Sequence, residues 1–501
     1  MKKHLSIIIF CIFYLIFSLI TFKSYGVTTD EPLEYASANK LIDYFTSPLN
    51  FSDIKKLYKM PEDELRHEAL LSSYYRGHLI PHALFFSKDS YFELHLINML
   101  LAIPLFVIVY LTFFKYFQKW YLSILAPLFL FFDPRIFGHI PANPKDFPFA
   151  MWFLILICLF YLLKDYQNSF IKNIILGISF GLVVSIRPLG ITILPIYIFY
   201  LVHSYYFNNK SDFKDNLKNL LSQLIIAGLF VCLTWPFIGA NPIRNFIFYL
   251  FESSKFSGWN GSTLFNGELI QWNEIPKNYL YVWLGITTPL IHIALILVGL
   301  INFKRYYKNS LITSIFFGII LNLIIYSTVN PLIYNGYRHY LFLITLITFL
   351  SSFVLADTIN LFSKSKYFKY YLISIVFLFL SLVKDFVSLH PFQYIYFNEL
   401  SGGLKNNGNK FDTDYWFESR IEAVNWVLTN TDYKKEAIYA CNMPYILEYY
   451  SDKKLKVSKD IDDSTISICD PKRDIEKEIK GEVIQNISRE GVTLTIIKRL
   501  K

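Results

Sequence analysis

The feature that most constrains the fold is a recurrence of apolar stretches from Leu5 to about Val387, most of them near the roughly 20 residues an α-helix needs to cross about 30 Å of hydrocarbon. Eleven can be drawn, at 5–22, 92–114, 120–132, 147–163, 170–186, 188–203, 219–238, 278–302, 310–328, 339–356 and 370–387. The third is short and the fifth and sixth are divided only by Arg187-Pro188, so the count is fixed to about one helix. Composition agrees: 54% of the 501 residues are hydrophobic and 17% charged, against roughly 25% charge in a water-soluble domain. The first stretch is longer than a signal core and no small-residue cleavage site follows it, so it reads as a retained anchor.

The basic residues are dispersed among the loops, and the net charge of +9 reflects membrane topology better than a nucleic-acid partner. Short loops richest in Lys and Arg stay in the cytoplasm. One alternate set of short loops and ends, including Lys2, Lys3, Lys115, Lys119, Lys304, Arg305, Lys364 and Lys369, holds fifteen such residues; the other, with Arg135, Lys145, Arg187, Arg244, Lys255, Lys277 and Arg338, holds seven. The N-terminus is therefore expected in the cytoplasm, and an odd number of spans puts the tail on the far side. That face gathers the loops 23–91, 133–146, 239–277 and 329–338 with a C-terminal domain from about His390. Loop 23–91 contains stretches of helical periodicity, Pro32 to Phe45 and Glu62 to Tyr75, expected to lie along the membrane surface. The tail mixes a helical stretch, Ser419 to Leu428, with β-rich runs at Ala437 to Ala440 and Val492 to Ile497, a small α/β domain. Expected organisation is thus an all-α transmembrane body over 1–389 and an extracytoplasmic domain over 390–501. Cys11, Cys158 and Cys232 lie in spans as small core residues; Cys441 and Cys469 could pair if the tail is outside.

Four groups of residues can carry chemistry. Asp30-Glu31 follow the first span just before a predicted helix. An acidic helix start is the ordinary reading; a general base taking a proton from an attacking hydroxyl is the functional one. Between Asp133 and Asp146, the run Asp133-Pro-Arg135-Ile-Phe-Gly-His139-Ile-Pro-Ala-Asn143-Pro-Lys145-Asp146 packs three prolines, two cations, two carboxylates and a histidine into fourteen residues. Prolines stiffen such a loop, and its charges either neutralise one another or face a polar cavity. Arg187 before Pro188, and Arg338-His339 at the start of the tenth span, are costly at membrane depth unless they snorkel; in an outward cavity they suit a phosphate group. Last, His390-Pro-Phe-Gln-Tyr-Ile-Tyr-Phe-Asn-Glu399, Ser401-Gly-Gly403 and Phe411-Asp-Thr-Asp414-Tyr415-Trp416 fit an interfacial aromatic belt or a sugar-binding platform. No phosphate-cradling glycine loop, zinc-spaced Cys/His pair or nucleophile elbow occurs.

In this order, from residue 30 to 416, the motifs resemble those of the C-type membrane glycosyltransferases (GT-C), specifically the bacterial branch similar to protein O-mannosyltransferases and lipid A aminoarabinose transferases. The resemblance rests on Asp30-Glu31, on Pro134-Arg135…His139…Asn143-Pro-Lys145-Asp146, on Arg187-Pro188-Leu-Gly190, on Arg338-His339 and on the closing segment from His390 to Trp416. It implies a polyprenyl-phosphate sugar as donor, Asp30 as catalytic base with Glu31 assisting, and Lys145, Arg187 and Arg338 contacting the donor phosphate. Arg135, His139, Asp146 and His339 would complete the donor pocket. Phe417 stands where the resemblance implies a glycine. Members of the superfamily differ in metal use, and a lone acidic pair argues against a required metal, so no cofactor is expected. The expected activity is transfer of a hexose or pentose, with inversion, to an extracytoplasmic protein, glycolipid or polysaccharide at the cell membrane. A lipid-sugar transporter or flippase is the alternative, and it predicts an internal repeat and mid-membrane polar residues.

Overall fold

The computed structural model describes residues 2–32, 34–35, 90–166, 169–207, 213–254, 261–472 and 478–500. Most of the predicted surface helices of loop 23–91 lie outside these residues.

All eleven apolar segments are helical. Among the described residues, seven helices are long and apolar enough to cross a membrane: α2 (Tyr91–Phe117), α5 (Ser169–Ile186), α6 (Pro188–Phe207), α7 (Asp215–Thr234), α10 (Ser310–Val329), α11 (Arg338–Phe362) and α12 (Phe368–Ser388). Three apolar helices are shorter, α1 (Leu5–Thr21), α3 (Trp120–Phe132) and α4 (Asp146–Leu162). The segment read as one span at 278–302 is instead a pair, α8 (Tyr279–Thr287) and α9 (Leu290–Ile301), bent by 103°. Pro289 explains the break, because it lacks the N–H that would continue the helix and drives Thr288 out of the helical region; Thr288 has φ −70° and ψ 122°. The chain is a polytopic, mostly helical membrane protein.

α11 is hydrophobic all round and packs against α3, α4 and α9, with a wall of buried residues from Leu341 to Thr358, as expected of a helix enclosed by others. α1, α7 and α12 instead expose Ile9, Ile16, Leu221, Leu229, Phe377 and Leu380, a surface suited to lipid and costly in water. α5 and α7 approach closely because Gly177 and Gly181 share one face of α5; a Cβ there would strike Ile226 and Phe230, the small-residue contact by which membrane helices pack.

Beyond α12 the chain crosses back over the bundle. Phe392, Tyr394, Tyr396, Phe397, Phe411 and Trp416 are buried in the same core as the helices, so these aromatics are packed rather than spread as a belt. A separate core then forms around α13 (Arg420–Asn430) and α14 (Pro444–Tyr450), with Val424, Val427, Leu447, Ile438, Ile466, Ile468 and Ile497 at its centre. Its sheet has the order β4-β3-β5-β7-β6, where β3 is Ala437–Ala440, β4 Lys456–Ser458, β5 Ile466–Cys469, β6 Glu482–Arg489 and β7 Val492–Arg499. β3 runs parallel to β4 and β5, while β7 runs antiparallel to β5 and β6. A small hairpin, β1 (Ser262–Phe265) with β2 (Glu268–Gln271), completes the strands, and Cys441 and Cys469 are joined by a disulfide. Val492 and Leu494 of β7 belong to the helical core, which seats the sheet on the bundle.

Candidate active site

The first loop leaves α1 and reaches the tail at once, because Gly26 packs against the Glu418 backbone where any side chain would collide. Thr28 then donates to the carbonyl of Ala142 (3.2 Å), tying this loop to the run 133–146. Asp30 and Glu31 emerge from this crossing with different surroundings. Glu31 is fully buried; it accepts from the Thr28 N–H (2.6 Å) and the Tyr35 hydroxyl (3.2 Å) and lies 2.9 Å from His95 Nε2. Asp30 keeps 36% of its side chain exposed and is ion-paired with Arg338.

Two cavities meet at that ion pair. One, of about 360 Å³, is lined by Asp30, Glu34, Lys145, Asp146, Arg187, Arg338 and His339 on one side and by Leu189, Ile191, Ile325, Val329, Leu332 and Ile333 on the other. The second, of about 680 Å³, runs from Asp30 and Arg338 toward the tail, between Asn335, Asp412, Tyr415, Phe417, Asn442, Asp470 and Lys472. Asp30, Tyr334 and Arg338 line both.

The first cavity combines a charged set of residues with an apolar one. Asp146 opens α4 and is ion-paired with Arg187. Asn143 fixes that corner: its carbonyl accepts from the Asp146 N–H (2.8 Å), and its amide lies 2.9 Å from His139 Nδ1 and 3.3 Å from Asp146 Oδ2. Arg338 lies 5.2 Å from the Tyr334 ring and 5.6 Å from the Trp416 ring, and such faces hold a guanidinium in place. The closing segment of the sequence motif thus braces Arg338 through Trp416.

Of the nine residues singled out from sequence, the structure brings six to the first cavity: Asp30, Lys145, Asp146, Arg187, Arg338 and His339. Glu31, Arg135 and His139 line neither cavity. Arg135 is buried against Trp283, Tyr337 and Phe397 and donates from Nε to the carbonyl of Tyr396 (2.8 Å). His139 packs edge-on to Trp416; its pKa is held well below the usual value by burial and by the nearby Arg135 and Arg338 charges. Both sit behind the cavity wall. Glu34 is the residue that sequence reading missed: it lines the cavity with its side chain buried. Its spacing of four from Asp30 was the available signal, since residues i and i+4 share a helix face.

Phe417 adopts φ +61°, the left-handed conformation a glycine takes freely and other residues at a cost of roughly 1–2 kcal/mol. The backbone demand implied by the resemblance is therefore present although the glycine is not. Its ring lies 4.4 Å from the Arg420 guanidinium and forms part of the second cavity's wall.

Among the described residues no group of three or more His, Cys, Asp or Glu side chains is arranged to hold a metal ion. No known family model matches the sequence, and no curated protein does. The chain is similar to solved structures of ArnT from Cupriavidus metallidurans. The one bound to undecaprenyl phosphate has a TM-score of 0.45 and 10% identity over 98% of each chain. The apo state has a TM-score of 0.46 and 11% identity over 98% of this chain and 97% of that one. It is also similar to the archaeal oligosaccharyltransferase AglB from Archaeoglobus fulgidus, in complex with an inhibitory peptide and a dolichol-phosphate, with a TM-score of 0.47 and 11% identity over 95% of this chain and 70% of that one.

Proposed function

We propose that this chain is a glycosyltransferase that moves a sugar from a polyprenyl-phosphate carrier to an acceptor, with Asp30 as general base. The observation that carries this reading is the meeting of two unlike cavities at the Asp30–Arg338 pair. The first suits a lipid phosphate: Lys145, Arg187 and Arg338 for the anion, and the ends of α6 and α10 for the first prenyl units. The second, lined by hydroxyl, amide and carboxyl groups, suits the acceptor. A phosphate leaving group neutralised by cations departs through charge stabilisation, while Asp30 removes the acceptor's proton, giving inversion by a single displacement. The reading assigns no step to a metal.

In this reading the N-terminus is cytoplasmic, and the site and the tail face outward. The excess of Lys and Arg in the opposite loops and the Cys441–Cys469 disulfide, a bond of oxidising compartments, both support that orientation. Asp30→Asn is expected to retain the fold and to lose transfer from radiolabelled polyprenyl-phosphate hexoses or pentoses by about 10²–10⁴-fold, the usual contribution of a general base. Unchanged transfer would remove Asp30 from the role, and lipid-sugar translocation without transfer would favour the flippase reading.

A further inference from the structure

Glu34 lies one helical turn after Asp30, its N–H donating to the Asp30 carbonyl (3.0 Å). Glu34 is 2% exposed and forms part of the wall of the first cavity. Its Oε2 has no hydrogen-bond partner among the described residues, in contrast to Glu31, which is fully engaged three residues earlier. A buried carboxyl oxygen without a partner is costly, and Glu34 lines a cavity whose occupant could supply one.

The charge around it decides its form. The cavity wall carries the cations Lys145, Arg187 and Arg338 and the carboxylates Asp30 and Asp146 besides Glu34. With Glu34 ionised these charges cancel. With Glu34 neutral one positive charge remains, which matches the single negative charge of a phosphodiester. Burial first, and then the adjacent Asp30 charge, push the Glu34 carboxyl up to about 8, against the opposing pull of Lys145 and Arg338; Glu31 adds a smaller upward push.

We propose that Glu34 faces the cavity as a neutral carboxylic acid and donates a hydrogen bond to a phosphate oxygen of the lipid-linked donor. The proposal rests on the glycosyltransferase reading for the identity of the donor, and it adds a phosphate-binding residue that discriminates by protonation. A neutral acid supplies the O–H donor that a carboxylate lacks, so binding weakens as pH rises and Glu34 ionises beside the phosphate. Asp30, ion-paired with Arg338 and partly exposed, keeps the separate role of base.

Farnesyl phosphate, the bare lipid phosphate without a sugar, is the probe. Between pH 7 and 9 its own second ionisation, near 6, is complete. Its affinity for the wild-type protein is expected to fall about tenfold over this range, as linkage to one group titrating near 8 requires. Glu34→Gln, whose amide donates at every pH, is expected to bind with a flat profile and near the affinity of the wild type at pH 7. Glu34→Ala is expected to bind several-fold more weakly at pH 7. A Glu34→Gln profile that keeps the tenfold fall, or Glu34→Ala binding as tightly as wild type, overturns the proposal. Should the variants not fold, difference infrared spectroscopy of the wild type reads the same group: a protonated carboxyl stretch must shift when farnesyl phosphate is added, and its absence overturns the assignment. No binding of farnesyl phosphate by the wild type at any pH would instead overturn the donor reading itself.

Discussion

At the scale of single residues, Asp30 and Glu31 are neighbours in sequence with opposite environments. Asp30 lies just before the helical turn that Glu31 opens; Asp30 lines the cavity and Glu31 is buried away from it. Glu31 gathers the Thr28 N–H, the Tyr35 hydroxyl and His95 around one buried carboxylate, which anchors the start of the helix that presents Asp30. Glu31→Ala removes the shared acceptor of these groups and strands a buried His95. It is expected to destabilise the protein by about 1–3 kcal/mol, read as a fall in thermal unfolding temperature in detergent, whereas Asp30→Asn leaves that temperature nearly unchanged. An equal effect of both substitutions would contradict the division of roles. The acidic pair was legible in the sequence because nothing in a lipid-facing helix needs it; which carboxylate faces the cavity was not, because that depends on how the first loop crosses the tail at Gly26 and Glu418. The same limit explains Arg135 and His139. Their charge marked the run 133–146 as unusual, but the aromatic cage that buries Arg135 comes from Trp283, Tyr337 and Phe397, distant in sequence.

At the scale of elements, the bend between α8 and α9 organises the wall behind the site. A broken helix leaves backbone carbonyls without partners, and in this bend Asn398 supplies them: its amide donates to the carbonyls of Gly285 (2.7 Å) and Thr288 (2.8 Å). Just past the bend, His292 lies 3.2 Å from Asp133 Oδ2 and 2.8 Å from the Ser351 hydroxyl. Thr348 donates to the same Asp133 oxygen (3.1 Å), and Asp133 also accepts the Ile136 N–H (3.0 Å). One buried polar cluster thus joins α9, α11 and the run that carries Lys145. Hydropathy made all eleven segments readable because each buries or exposes apolar surface along its whole length. It could not distinguish a straight span from a bent one, and Pro289 was the residue that carried that information. Asn398→Ala is expected to leave the two carbonyls unsatisfied and to cost about 1–3 kcal/mol, seen as a lower thermal unfolding temperature. Asn398→Asp, which lacks the amide donors, should behave alike, and a neutral effect of both would show that the bend does not depend on this contact.

At the scale of the whole molecule, the second cavity belongs to the bundle and to the tail together, and the tail's disulfide-linked rim lines that cavity and not the first. Asn442 and Met443 follow β3, and Asp470 to Lys472 follow β5; all line that cavity, and the Cys441–Cys469 disulfide joins the two strands where they enter it. Arg420 reinforces the junction by donating to the carbonyl of Asn442 (2.6 Å) and lying 3.9 Å from Asp470. A tail with its own core, centred on Ile438 and Ile466, could be foreseen from alternating apolar residues, but its docking could not, because Val492 and Leu494 reach a core most of whose members lie along the bundle. None of these rim residues lines the first cavity, where Arg187 is paired with Asp146 and Arg338 with Asp30 and lies against Tyr334 and Trp416. Replacing both cysteines by serine is therefore expected to raise the KM for the acceptor several-fold while the affinity for farnesyl phosphate stays within about twofold. Closing a loop across 28 residues stabilises a chain by roughly 3.5 kcal/mol, so the double variant also unfolds at lower temperature, and the comparison belongs below that transition. If both affinities fall together, the tail and the donor site form one cooperative unit; if neither changes, the acceptor contacts lie away from the rim formed by Asn442 and Asp470.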